Sequence, residues 1–165
     1  MLFLYLIMMS ITHNKFYRYF ILLAFTTALS FTAKAQDVQK SDGKKPGSIV
    51  FIEGSFKDAL KQAAIQNKYI FVDAYASWCG PCKLLKATTF RNKKAADFYN
   101  DNFVNVSIDM EKGDGPMLAE AWGIQAYPTL IVFDAKGKPV LGTAGYMSAS
   151  DLIRFGKQAL SKTNY

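Results

Sequence analysis

The chain has 165 residues, enough for one domain with a sizeable core, and half of them are hydrophobic. Twenty basic residues against 13 acidic ones give a net charge of +7, but the surplus is scattered, with short clusters only at Lys44-Lys45 and Lys93-Lys94. That pattern argues against a nucleic-acid-binding stripe and for a solvated basic surface.

Residues 1–35 read as a secretory signal peptide. Lys15 and Arg18 supply a positive n-region, Phe20 to Phe31 an apolar h-region, and Ala33-Lys34-Ala35 a small-x-small cleavage site. The uncharged run from Tyr19 to Ala33 is shorter than the ~20 apolar residues a spanning helix prefers, which favours cleavage over an uncleaved anchor. The folded part is therefore expected in the periplasm or otherwise outside the cytoplasm, and tethered to the membrane if the leader is retained. Without Lys15, Arg18 and Lys34 the remaining 130 residues carry 17 basic and 13 acidic side chains, a net +4.

Residues 36–48 are polar, with Asp42-Gly43 and Pro46-Gly47, and read as a flexible lead-in. Ile49 to Ile52 is a short β-type run. Ser55-x-x-Asp58 resembles a capping box, and behind it Phe56, Ala59, Leu60, Ala63 and Ala64 recur at helical spacing until about Asn67. Tyr69 to Ala76 is a second strand, apolar at nearly every position and so expected to be buried on both faces. Asp73 interrupts it, and a carboxylate there is costly without a partner or a task.

Trp78 ends that run, and Cys79-Gly80-Pro81-Cys82 follows; these are the only two cysteines. Two thiols at this spacing, at the start of a helix, can close a small disulfide ring with little backbone movement. The free N–H groups of the helix start favour the thiolate of the first. A structural zinc site needs four ligands, and the sole histidine, His13, lies in the leader. A c-type haem attachment needs His after Cys82, where Lys83 stands. A purely structural disulfide of this size constrains little of the unfolded chain. A redox pair is the reading these requirements favour.

The helix is predicted to start at Gly80-Pro81, with Leu84 and Leu85 giving its apolar face. Thr88 to Asn92 weakens the helical pattern, and Lys93 to Asn102 restarts it. Phe103 to Ile108 is the third strand. The Asp109–Gly115 loop has three acids, but not at the positions of a calcium loop, and Asp114 is expected to cap the next helix. In that helix, Pro116 to Trp122, the side chains of Met117, Leu118, Ala121 and Trp122 are predicted to point inward. Thr129 to Phe133 is the fourth strand. Asp134 to Lys138 is a hairpin turn with Gly137 at its positive-φ position, and Pro139 to Thr143 is an edge strand. A second box-like pair, Ser148-x-x-Asp151, opens the last helix, which carries Leu152, Ile153, Phe155, Ala159 and Leu160. The order is βαβαβαββα, which predicts an α/β fold with one mixed five-stranded sheet and helices on both faces.

This order, with Trp78-Cys79-Gly80-Pro81-Cys82-Lys83 after the second strand and Tyr127-Pro128-Thr129 before the fourth, resembles the thioredoxin superfamily over Ile49 to Leu160. A thioredoxin-like domain over 49–162 is the implied organisation. The chain is particularly similar to the C-terminal domain of DsbD-type thiol:disulfide interchange proteins. Shared features are Phe71-Val-Asp-x-Tyr-Ala-x-Trp-Cys, Lys86-x-x-Thr89-Phe90, Tyr127-Pro128-Thr129-Leu130, Phe133-Asp134-x-x-Gly137 and Gly145-Tyr146.

The resemblance implies a protein disulfide oxidoreductase that needs no organic cofactor and no metal. Cys79 would be the exposed nucleophile, Cys82 the partly buried resolving thiol, and Asp73 the buried carboxylate that helps deprotonate Cys82. Cys79 and Cys82 would form the redox disulfide. Pro128 would be a cis-proline beside the site, Trp78 a shield and partner contact, and Gly145 a close-approach position. With Gly80, Pro81 and Tyr127 these would line the substrate platform. The implied partners are protein dithiols and disulfides, with electrons from a membrane-borne donor, and the implied state is a monomer. The Gly-Pro pair resembles reducing members more than strong oxidants. A dithiol oxidase, an apocytochrome thiol reductant and a non-enzymatic peptide-binding module are the alternatives.

Three departures from thioredoxins proper stand out. Asn105 aligns with their lysine near the buried Asp, Ala87 with their helix-kinking proline, and the Asp109–Pro128 segment is longer. The first puts the charge balance of Asp73 in question.

Overall fold

The computed structural model describes residues 47–53 and 55–162. The leader and all but the last two residues of the lead-in lie outside them. The elements are β1 (Ile52–Glu53), α1 (Phe56–Gln66), β2 (Tyr69–Tyr75), α2 (Gly80–Ala87), a 3-10 turn (Thr89–Arg91), α3 (Lys93–Asn102), β3 (Phe103–Asp109), α4 (Gly115–Trp122), β4 (Thr129–Phe133), β5 (Pro139–Ala144) and α5 (Ala149–Ser161). The strands form one sheet in the order β1-β3-β2-β4-β5. β3 runs parallel to β1 and β2, while β4 is antiparallel to β2 and β5. This is the α/β architecture predicted from the element order.

The period-two alternation of β2 divides the core. Ile70, Val72 and Ala74 face one layer with Val104, Val106, Ile131 and Phe133, closed by Ala59 and Ala63 of α1 and by Leu118 and Trp122 of α4. Phe71 faces the other, with Leu85 of α2, Phe90, Tyr99 of α3, and Leu152 and Phe155 of α5. Asp73, two residues after Phe71, is thereby turned to the α2 side of the sheet. Several helix ends follow the predicted chemistry. Ser55 and Ser148 accept hydrogen bonds from the Asp58 and Asp151 amides, and Asn67 closes α1 in the left-handed region at φ 50°.

Four local expectations are corrected. β1 covers Ile52–Glu53 rather than Ile49 to Ile52, because the groups just before it bond elsewhere. The Ile49 amide donates to Phe90 O at 2.8 Å, the Val50 amide to Asn100 Oδ1 at 2.9 Å, and Asn105 Nδ2 to Val50 O at 3.3 Å. Asp114 stands at the N-cap of α4, but its side chain makes no capping hydrogen bond. In α4, Met117 is 64% exposed and Ala121 is exposed, whereas Leu118, Ala119 and Trp122 pack on the sheet. Two neighbouring stripes of that helix are apolar, and only one can face the sheet. In α2 the same choice buries Leu85 and exposes Leu84. Gly115 is a close approach that the sequence reading passed over. A Cβ there would stand 2.1 Å from Asp109 O, so the acidic loop can fold back against the start of α4 only with glycine at this position.

Candidate active site

β2 delivers the chain to the end of the sheet, and α2 begins there. Cys79 is the N-cap of α2, and Pro81 occupies its first turn, where no intrahelical N–H bond is lost. Cys79 and Cys82 are joined in a disulfide. The Cys82 amide donates to Cys79 Sγ at 3.1 Å. A peptide N–H at the start of a helix is thus aimed at this sulfur, a placement that lowers the cost of a negative charge there. In this oxidised pair both cysteines are 2% exposed, so Cys79 is not the exposed member expected from the sequence. The pair packs against Ala76, Tyr75 and Tyr127.

The predicted platform residues gather around the pair. Gly80 and Pro81 are exposed, and Trp78 is 65% exposed. The Trp78 ring meets Tyr127 edge-on at 6.0 Å between centroids, and its Nε1 donates to Glu111 Oε2 at 2.8 Å. Tyr127 in turn packs on the cysteine cluster. The Tyr127–Pro128 peptide is cis, and Gly145, at φ 100°, donates its amide to Pro128 O at 2.7 Å. Thr89 Oγ1 donates to Met147 O at 2.6 Å, fastening the Gly145–Met147 loop to the 3-10 turn that follows α2. Trp78, Tyr127, Pro128 and Gly145 are therefore one connected rim.

Asp73 lies beneath this surface, 1% exposed. In register it faces Ser107 of β3 and Leu130 of β4. Ser107 Oγ donates to Asp73 Oδ2 at 2.9 Å, Lys86 Nζ stands 4.0 Å from the same oxygen, and Oδ1 is buried without a hydrogen bond. Burial raises the Asp73 carboxyl, the Ser107 hydrogen bond and Lys86 pull it down, Glu53 pushes it up, and the net of these is about 6. A carboxyl titrating there is ionised over much of the neutral range yet accepts a proton readily.

The question raised by Asn105 is answered by register. Asn105 pairs with Phe71, and its amide donates to Val50 O and Asn100 Oδ1. The β3 side chain at Asp73 is Ser107 instead, and the cation comes from α2. Sequence reasoning assigned no role to Ser107, Lys86 or Glu111. Lys86 carried a signal, since it lies four residues after Cys82 and such pairs share a helix face. Ser107 and Glu111 carried none that spacing alone reveals. Among the described residues no group of three or more His, Cys, Asp or Glu is placed to hold a metal ion, and no helix is long and apolar enough to cross a membrane.

Known proteins are similar to this chain. The family described as thioredoxin-like domain matches residues 56–160. The thiol:disulfide interchange protein DsbD of Pseudoalteromonas atlantica is 33% identical over 109 residues, covering 64% of this chain but only 18% of that protein. The thioredoxin of Mycoplasma genitalium is 36% identical over 95 residues, covering 57% of this chain and 85% of its own. A solution structure from Bacteroides thetaiotaomicron, provisionally assigned as a disulphide-isomerase, superposes with a TM-score of 0.62 at 41% identity, covering 68% of this chain and 93% of its own. The chain belongs to the thioredoxin-like domain family and, with its disulfide-linked Cys79 and Cys82, is a disulfide oxidoreductase.

Proposed function

We propose that this protein works outside the cytoplasm, reducing or isomerising disulfides of other proteins through Cys79 and Cys82. The observation that carries the reading is the pair itself: a disulfide whose first sulfur receives an amide N–H at the N-cap of α2. In the reducing direction the Cys79 thiolate attacks one sulfur of a partner disulfide. A Cys79–partner S–S bond forms, the partner's own S–S bond breaks, and its second sulfur leaves as a thiolate. Cys82 then gives its proton to the Asp73 carboxylate and attacks Cys79 Sγ. The mixed disulfide breaks, the partner leaves with both sulfurs reduced, and Cys79–Cys82 is oxidised by two electrons. With no histidine after His13, Asp73 is the internal carboxylate best supported as the base.

The rim formed by Trp78, Tyr127, Pro128 and Gly145 supports an extended polypeptide as the substrate, laid across the surface. The pattern of residues 1–35 supports export, and an oxidising compartment supports a membrane-borne donor that reduces Cys79–Cys82 again. Cell fractionation checks the location: the mature chain is expected in the periplasmic or membrane fraction, and its recovery in the cytosol overturns that part of the reading. Catalysed reduction of insulin disulfides by the purified protein with dithiothreitol checks the chemistry. A rate above the dithiothreitol background is expected, and a rate equal to background overturns it.

A further inference from the structure

α2 carries Cys82 and Lys86 one helical turn apart, on the side that meets β2. Lys86 reaches back to the strand. Its ammonium lies 3.4 Å from the centroid of the Tyr75 ring and 4.0 Å from Asp73 Oδ2. The Lys86 side chain is 38% exposed and the Asp73 side chain 1%, so the lysine is the wet end of a buried pair. The ring face fixes where the charge sits, because a cation over an aromatic face is held by the ring quadrupole. The other groups facing Asp73 offer no substitute. Ser107 of β3 gives a neutral hydrogen bond, Leu130 of β4 is apolar, and Glu53 acts on Asp73 as a like charge. Asn105, where a lysine could have come from β3, spends its amide on Val50 and Asn100.

We propose that Lys86 is a positioning residue for the redox reaction: held on the Tyr75 ring, its ammonium keeps the Asp73 carboxylate charged and ready to take the Cys82 proton. The inference rests on the disulfide-exchange reading for its reaction, and on the Lys86–Tyr75–Asp73 geometry for its cause. Asp73 has one oxygen without a hydrogen bond, so a nearby positive charge is the remaining source of stabilisation for its ionised form. The cation comes from the same helix as the cysteines. The resolving thiol and the charge that serves its base are therefore fixed to one rigid element.

The test is Lys86→Gln, with Lys86→Arg as the charge-retaining control and Lys86→Glu as the charge reversal. The first readout is the titration of the Asp73 side-chain carboxyl by NMR in the oxidised protein, which needs no turnover. Lys86→Gln is expected to raise its midpoint by about half a pH unit or more, Lys86→Glu by more, and Lys86→Arg to leave it near the wild-type value. The second readout is the pH profile of mixed-disulfide resolution. Its acid limb should move upward with the Asp73 midpoint, slowing resolution at pH 6 about twofold or more in Lys86→Gln, with recovery in Lys86→Arg. Lys86 is partly exposed and caps nothing, so the variants are expected to fold. An Asp73 midpoint that stays in place in Lys86→Gln overturns the proposal whatever the protein's activity. So does a midpoint that moves without moving the resolution profile. A wild-type protein that fails to catalyse exchange overturns the functional reading instead.

Discussion

Cys79→Ser abolishes insulin reduction, lowering turnover about 10³-fold or more to background, while Cys82→Ser loses turnover but accumulates a covalent adduct with its substrate. The two outcomes are expected to differ because the proposed reaction uses the cysteines in sequence. Serine at 79 removes the sulfur that forms the first bond. Its alcohol is not ionised near neutral pH, so no mixed disulfide forms. Serine at 82 leaves Cys79 and the α2 start intact, and the Cys82 amide that points at Cys79 Sγ is a backbone group the substitution retains. The first attack proceeds and the second cannot. Mass spectrometry should show one substrate per protein, joined at Cys79 and released by dithiothreitol. The fold survives both changes, because a bridge between residues three apart closes too short a loop to constrain much of the unfolded chain. Adducts at Cys82 in Cys79→Ser would reverse the assigned order of attack. A wild-type protein that reduces no insulin yet binds peptide as well as Cys79→Ser does would instead support a peptide-binding module that needs no thiol chemistry.

Asp73→Asn stabilises the protein at pH 8 and does not at pH 4, while slowing mixed-disulfide resolution about 10²-fold at pH 7. The sign follows from linkage. Burial lifts the Asp73 carboxyl from 3.8 to about 6, so between those values the native state holds a proton that the unfolded chain has lost. Stability from this group is therefore undiminished below about pH 4, falls as the pH rises toward 6, and stays lowered above it. The full cost at pH 8 is about 3 kcal/mol from a rise of 3.8 to about 6. Asparagine removes that cost and keeps the Ser107 hydrogen bond through its carbonyl. Its buried NH₂ lacks an acceptor and gives back about 1–2 kcal/mol. The expected net is a gain of about 1–2 kcal/mol at pH 8 that vanishes or reverses at pH 4. Urea unfolding at the two pH values reads it. An Asp73→Asn variant whose stability relative to wild type is the same at both would show that this carboxyl is not a strained buried base.

What could be read from the sequence depended on whether a residue's meaning is local. Cys79 and Cys82 announce themselves through spacing and the β2–α2 junction, and Asp73 through its cost in an apolar strand. Ser55, Ser148 and Gly137 act within a few residues of themselves, and the structure places them as their local chemistry predicts. Met117, Ala121 and Leu84 are apolar residues on stripes next to the buried one, and only tertiary packing selects between stripes. β1 is shortened by amides of Asn100 and Asn105, about 50 residues away. The surroundings of Asp73 were hidden for the same reason. Whether Ser107 or Asn105 meets it is decided by the β2–β3 register, and alignment to relatives that carry a lysine pointed to the wrong one of two same-face neighbours. Glu111 reaches Trp78 across 33 residues, which no motif spacing encodes.

The reduction potential of the pair tests most directly whether Cys79–Cys82 is a reducing dithiol. Equilibration of the purified protein against defined dithiol–disulfide buffers, read by alkylation of the two thiols, is predicted to give a value close to that of thioredoxin, about −270 mV. A value close to that of the oxidant DsbA, about −120 mV, would contradict it and make the protein a donor of disulfides.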